Sequence, residues 1–317
     1  MLFSRFFSFV LIKNLYLRPK RVYYALKRTT RIVYPHQDMR YYDPRYDITF
    51  KKVFTHPDLL ISFLNALLPL KDDELVESIE YLSPEMLPET PTNKFSIVDV
   101  CCKDKKDRQF IVEMQMVWSE EFKSRVLLNA SKAYVRQLEK GERYDLLRPV
   151  YSLNLVNGIF EKDLPEDEFY HFYQLVHERH TEKVIKGLHI VFVELPKFTP
   201  RNWGEKKMMV LWLRFLNEIN EQTKEVPAEL IENPYIEKAV SLMAETAMTD
   251  EERYAYEKNL DSISSEKTIV NASIEKGVAI GETKKNLENA RKMKELGATI
   301  DFIMQVTGLT KNQIEKL

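Results

Sequence analysis

The chain has 317 residues, 44% hydrophobic and 30% charged, the make-up of a soluble globular protein. With only 8 glycines and neither a GxGxxG nor a GxxxxGK(S/T) run, it lacks the phosphate-cradling loops of dinucleotide and P-loop enzymes. The net charge is −1, but residues 1–37 hold eight Lys/Arg and no Asp or Glu, leaving the remainder at −9, which excludes a broad nucleic-acid coat over the body.

The N-terminal segment, residues 1–38, is basic and aromatic. Its apolar run, residues 6–12, is shorter than the about 20 residues of a membrane span. No small-x-small cleavage site follows its signal-like start. The segment reads either as a basic arm for nucleic acid or a membrane surface, or as sequence upstream of a start at Met39. A domain opens there with Met39-Arg40-Tyr41-Tyr42-Asp43-Pro44.

Asp47 is placed to cap a helix over residues 48–54. Pro57 suits the first turn of a second helix, along which Leu59, Leu60, Phe63, Leu64, Leu67 and Leu68 recur with helical spacing before Pro69. Pro84, Pro88 and Pro91 predict an extended, irregular stretch. Residues 95–103 and 109–118 are rich in β-formers. The polar Asp104-Lys105-Lys106-Asp107-Arg108 between them makes a hairpin turn.

A helix is predicted over residues 120–140, ended by Gly141. Buried strands follow at 149–156 and 188–195, and residues 163–187 carry no clear pattern. Beyond Pro196 and Pro200, helices are predicted at 203–220, 228–247, 250–261 and 266–296, ending at Gly297. Two short helices then flank Thr307-Gly308-Leu309-Thr310. The domains expected are the basic segment 1–38, an α/β domain over 39–200 and a helical C-terminal region over 201–317.

The chemistry lies in the hairpin. A turn centred on Lys106 places Asp99 directly opposite Glu113, and cross-strand neighbours lie about 5 Å apart. Gln115, two residues on, shares their face, amid Ile97, Ile111 and Val117. Two carboxylates that close repel unless one is protonated or a cation lies between them. Mg²⁺ meets that need with oxygen ligands and retained water and suits phosphodiester hydrolysis. The competing account is a wet hairpin face satisfied by solvent.

In order, Asp47-Ile48-Thr49-Phe50-Lys51, Ile97-Val98-Asp99-Val100 and Ile111-Val112-Glu113-Met114-Gln115 resemble the PD-(D/E)XK nuclease superfamily. More narrowly, they resemble its recombination-promoting nuclease/transposase family. The resemblance covers roughly residues 39–198. Arg125, Tyr134, Gln137, Tyr144 and Pro149-Val150 fit it, and so does the C-terminal tail from Gly297 to Ile314. It implies a restriction-endonuclease-like αβββαβ core with a C-terminal helical extension. It also implies a Mg²⁺-dependent DNA endonuclease with Asp99 and Glu113 as metal ligands and Gln115 as the third catalytic residue.

Gln115 stands where the superfamily most often has Lys, and a neutral amide cannot supply a cation. Asp47 is either a helix cap or a further acidic ligand, and Lys51 either reaches a phosphate or is solvated. Tyr134 and Gln137, three apart, either support the site or pack on the sheet.

Other features carry less. His171, His177 and His180 are close in sequence, with the last two on one face of any helix, but no fourth ligand of matching spacing completes a zinc set. Adjacent Cys101 and Cys102 make a poor disulfide and cannot form a Cys₄ site. Lys103, Lys105, Lys106 and Arg108 make either a phosphate-contacting tip or a soluble turn. The final helix pair resembles a helix-turn-helix in outline, with a second helix too short to read a groove; packing or dimerisation suits it better.

The leading expectation is a cytoplasmic, metal-dependent endonuclease acting on DNA in mobile-element recombination or in defence. It needs no membrane and forms homo-oligomers through its C-terminal helices. The alternative is a catalytically inactive DNA-binding or oligomeric scaffold that keeps the nuclease fold. A third reading is a protein-interaction module.

Overall fold

The computed structural model describes residues 40–86, 95–200 and 207–317. The basic N-terminal segment, Met39, Pro88, Pro91 and Trp203 lie outside the described residues.

Helix α1 (Asp47–Phe54) starts at Asp47 itself, with Tyr46 as N-cap. Asp47 is therefore not the cap expected of it. The Thr49 hydroxyl holds the entry instead, donating to the carbonyls of Asp43 at 2.5 Å and Tyr46 at 2.9 Å. Helix α2 (Pro57–Leu67) has Pro57 in its first turn and buries Leu59, Leu60, Phe63, Leu64 and Leu67, as their spacing predicts.

The short strands β1 (Ile79–Tyr81), β2 (Glu85–Met86) and β3 (Ser96–Ile97) precede the hairpin strands β4 (Val100–Asp104) and β5 (Gln109–Gln115). The single strand expected over 95–103 is thus two. β3 pairs with β2 in its own two-stranded sheet, and the chain bends at Asp99 before β4 begins. A cross-strand contact accompanies the break: the Met114 N–H donates to Asp99 Oδ2 at 2.7 Å, so a side chain takes a backbone donor of β5.

Helix α3 (Glu121–Val135) stops short of the expected end at Gly141, which lies in a loop with φ of 96°. The Gln137 side chain draws the chain aside, pairing with both backbone groups of Arg148 at 2.8 and 3.0 Å. That clamp delivers the chain to β6 (Val150–Val156), every residue of which is buried. Such a strand is covered on both faces.

The patternless residues 163–187 contain the whole of β7 (Tyr170–His177) and the first half of β8 (His180–Glu194). This hairpin is exposed over its outer half, which is why no apolar period marks it. The main sheet has six strands in the order β1-β4-β5-β6-β8-β7. β5, β6 and β8 run parallel, and the other pairs are antiparallel.

Helix α4 (Lys207–Glu218) is strongly amphipathic. The one helix expected over 228–247 is broken in two, α5 (Ala228–Ile231) and α6 (Pro234–Met243). Pro234 cannot continue a helix but can start one, and the Asn233 side chain caps it by accepting from Tyr235 and Ile236. The two helices expected over 250–296 fuse into the 46-residue α7 (Asp250–Glu295), opened by a Thr249–Glu252 capping box. No Gly or Pro interrupts residues 261–266, so nothing ends the first half. Helices α8 (Ile300–Thr307) and α9 (Lys311–Glu315) fold back on the end of α7, burying Ala290, Ile303, Leu309 and Ile314 together.

The sheet divides the apolar residues by parity. Val100, Cys102, Phe110, Val112, Leu153 and Val191 face a large core with α1, α2, α4 and α6. Cys101, Ile111 and Val150 face Ala130 and Ala133 of α3, and Val156 and Phe192 face its Phe122 and Val126. Residues 209–244 lie in the same core as α1 and α2, and Arg40–Leu317 forms one compact unit. No helix among the described residues is long and apolar enough to cross a membrane.

Candidate active site

The β4–β5 ladder pairs Val100 with Val112 and Cys101 with Ile111, the register predicted from the turn. One step further along it, Asp99 comes opposite Glu113. Glu113 has the parity of Ile111 and faces α3, while Asp99 sits at the bend where the alternation breaks. Glu113 is buried, with 4% of its surface exposed. Asp99 keeps a window to solvent. Ile97, expected beside them, is instead exposed in β3.

Helix α3 supplies the partners. Asn129, fully buried, donates to Glu113 Oε1 at 3.0 Å. Its own carbonyl accepts from the Ser96 hydroxyl at 2.7 Å, and that hydroxyl accepts from Lys132 at 3.2 Å. One turn before Asn129, Arg125 donates to Gln115 Oε1 at 2.6 Å and lies 3.6 Å from Glu113 Oε2. Gln115 is fixed at its other end, donating to the Val117 carbonyl at 2.6 Å. Of these partners, sequence reasoning gave a site role to none. Arg125, Asn129 and Lys132 are spaced i, i+4 and i+7, a polar stripe on a helix that otherwise buries its apolar face, and that spacing was the available signal.

Burial pushes the Asp99 carboxyl up to about 7; the Met114 N–H opposes the shift, and the charges of Glu113 and then Asp47 add to it. Burial likewise raises Glu113, against the pull of Asn129 and Arg125. Each carboxylate has one oxygen on an N–H donor, Asp99 Oδ2 on Met114 and Glu113 Oε1 on Asn129. Glu113 Oε2 has Arg125 3.6 Å away, and Asp99 Oδ1 accepts no hydrogen bond among those described. Two adjacent oxygen donors that resist ionisation alone suit a hard divalent cation. No group of three or more Asp, Glu, His or Cys gathers among the described residues, so the arrangement is a pair rather than an all-protein cage.

The remaining expected residues are placed as follows. Asp47 and Lys51 stand close enough to affect Asp99 electrostatically, but they pair with each other at 2.6 Å. Tyr134 packs against Gly187 and within the Cys101–Ile111 cluster, and Gln137 clamps Arg148. Neither has a hydrogen bond to Asp99 or Glu113 among those described. The hairpin-tip cations are engaged: Lys103 with Glu80, Lys105 with Glu77, Lys106 with the Asp73 carbonyl, and buried Arg108 with Asp104. The three histidines do not converge. His177 and His180 face each other across a strand turn rather than along a helix, while His171 is buried against Glu194. Cys101 and Cys102 are buried free thiols, both pushed upward by burial, Cys101 to about 11.

A family model described as PD-(D/E)XK nuclease family transposase matches residues 44–273. That span takes in the sheet, α3 and the first half of α7. No curated protein and no solved structure matches the chain.

Proposed function

We propose that this chain, which belongs to the PD-(D/E)XK nuclease family transposases, is a Mg²⁺-dependent DNA endonuclease whose metal ligands are Asp99 and Glu113. The observation that carries this reading is the pair itself: two carboxylates facing each other one step beyond the end of the β4–β5 ladder, both held back from ionising. When bound, Mg²⁺ supplies charge stabilisation on the phosphate and lowers the pKa of attacking water.

The chain's own residues do the positioning. Asn129 fixes the rotamer of Glu113. The Met114 N–H fixes that of Asp99. The Gln115 amide, held between Val117 and Arg125, occupies the place beside the reacting groups. Hydrolysis adds the oxygen of water to phosphorus and breaks one ester P–O bond, with the leaving oxygen taking up a proton. The substrate is DNA and the site of action the cytoplasm. Exposed Ile269, Ile274 and Ile280, with Gly277 and Gly281 lying open beside them on α7, support pairing of two copies through the C-terminal helices.

Supercoiled plasmid incubated with Mg²⁺ or EDTA, beside Asp99→Ala prepared identically, tests the reading. Nicking or linearisation by the wild type with Mg²⁺ alone is the expected result. Equal cutting by both proteins would move the activity elsewhere. The second reading, an inactive DNA-binding scaffold, is favoured by one observation, the Gln at position 115. It predicts DNA binding unchanged by chelator and no cutting under any metal.

A further inference from the structure

The cation that position 115 lacks comes from the helix facing it. We infer that Arg125 contacts the substrate phosphate in the active site, in the role that a lysine at position 115 would otherwise fill, and that Gln115 holds it there. The inference rests on the nuclease reading above and adds a residue to that site.

Three observations carry it. First, Arg125 donates to Gln115 Oε1 at 2.6 Å, so its guanidinium is tied to the side chain at the lysine position. Second, the same group lies 3.6 Å from Glu113 Oε2, beyond a hydrogen bond but beside an expected metal ligand. Third, its side chain is 46% exposed although Glu113 beneath it is only 5% exposed, so donors remain open to a ligand arriving from solvent. Guanidinium has five N–H donors in a rigid fork that matches phosphate oxygens. The face of the Phe122 ring, 4.8 Å away, supports it from the other side.

Chemical logic fixes the kind of role. A guanidinium offers donors and no acceptor, so it does not take a proton from water. It stabilises charge that develops on a non-bridging phosphate oxygen, a contribution of about 10²–10³ in rate for a well-placed donor. Gln115 is then a positioning residue. Its amide oxygen orients the guanidinium, and its amide nitrogen is locked on the Val117 carbonyl. An Arg reaching over from α3 and a Gln on β5 together replace one Lys on β5.

Four proteins test this: wild type, Arg125→Ala, Arg125→Lys and the double variant Gln115→Lys/Arg125→Ala. Two readouts are needed. The first is single-turnover plasmid cleavage in Mg²⁺. The second is anisotropy of a labelled DNA duplex titrated in EDTA at several salt concentrations, which requires no catalysis. Melting curves identify any variant that fails to fold.

Arg125→Ala is expected to cut about 10²-fold more slowly, with a salt slope reduced by about one. Arg125→Lys falls between it and the wild type. The double variant is expected to regain at least tenfold over Arg125→Ala and to recover the salt slope. Wild-type cleavage with Arg125→Ala unchanged in both readouts would overturn the inference. So would a folded double variant that recovers neither. A wild type that never cuts would remove the nuclease reading, and anisotropy would still decide whether Arg125 meets a phosphate.

Discussion

The two faces of the hairpin strands are built from alternate residues of the same few turns of sequence, yet they serve opposite ends. Phe110 and Val112 of β5 point into the large core with α1, α2, α4 and α6. Ile111, Glu113 and Gln115 point toward α3, where apolar packing gives way within two residues to a carboxylate network. One face gains stability by excluding water. The other admits an acid, Glu113, that costs stability unless something positive arrives. The strand register therefore does double duty, since a one-residue slip would turn Glu113 into the large core and Val112 toward α3.

Substitutions on the two faces should separate these properties. The largest effect is expected from Asp99→Ala, which removes a metal ligand and should lower Mg²⁺-dependent cleavage by more than about 10³-fold, with far-UV circular dichroism unchanged. On the opposite face, Leu153→Ala, at a fully buried position, should cost about 2–5 kcal/mol in urea unfolding. Cleavage by the remaining folded protein should stay near wild type. Loss of cleavage without loss of stability there would break the contrast between the faces.

Asn129→Ala should do some of both. It frees Glu113 from the Asn129 amide and should weaken Mg²⁺ binding or cleavage by about 10–100-fold. Isothermal titration with Mg²⁺ reads this directly.

A smaller effect concerns pH. The folded carboxyl of Asp99 sits at about 7, above the about 3.9 of an unfolded chain. The folded state therefore holds its proton more tightly. In EDTA, the stability this group confers is complete below about pH 4 and is lost as pH rises toward 7. Melting temperature should fall over that window, and Asp99→Asn should flatten the fall. Added Mg²⁺ at pH 8 should raise the melting point of the wild type but not of the variant. The smallest effect is expected at the hairpin tip. Lys105→Ala breaks an exposed, solvent-screened ion pair with Glu77, and should leave DNA affinity within twofold.

Much of this was legible because the relevant signals are local. The polar turn at 104–108 and the alternation on either side fix the register that brings Asp99 opposite Glu113. The Leu and Phe spacing from Leu59 to Leu67 fixes α2. The break at Asp99 was not legible, because the contact that accompanies it involves a backbone donor of Met114 fifteen residues away. Asn129 gave no signal of its own, since an Asn among Leu and Ala on a helix gains meaning only when a carboxylate lies opposite. The β7–β8 hairpin escaped notice because both its faces are wet at the tip. The fused α7 did so because a polar helix has no apolar period to count.

That helix has a mechanical consequence. Along its 46 residues only Tyr256 and Ala290 are buried: one anchor sits near its start, among Tyr42, Tyr46 and Glu221, the other beneath the terminal helix pair. At about 1.5 Å per residue, nearly 60 Å of rod extends beyond the first anchor. It is a lever with its fulcrum beside the entry to α1. A tilt of about 10° there would swing the capped tip through roughly 10 Å, so a small rearrangement of a few tyrosines is amplified at the far end.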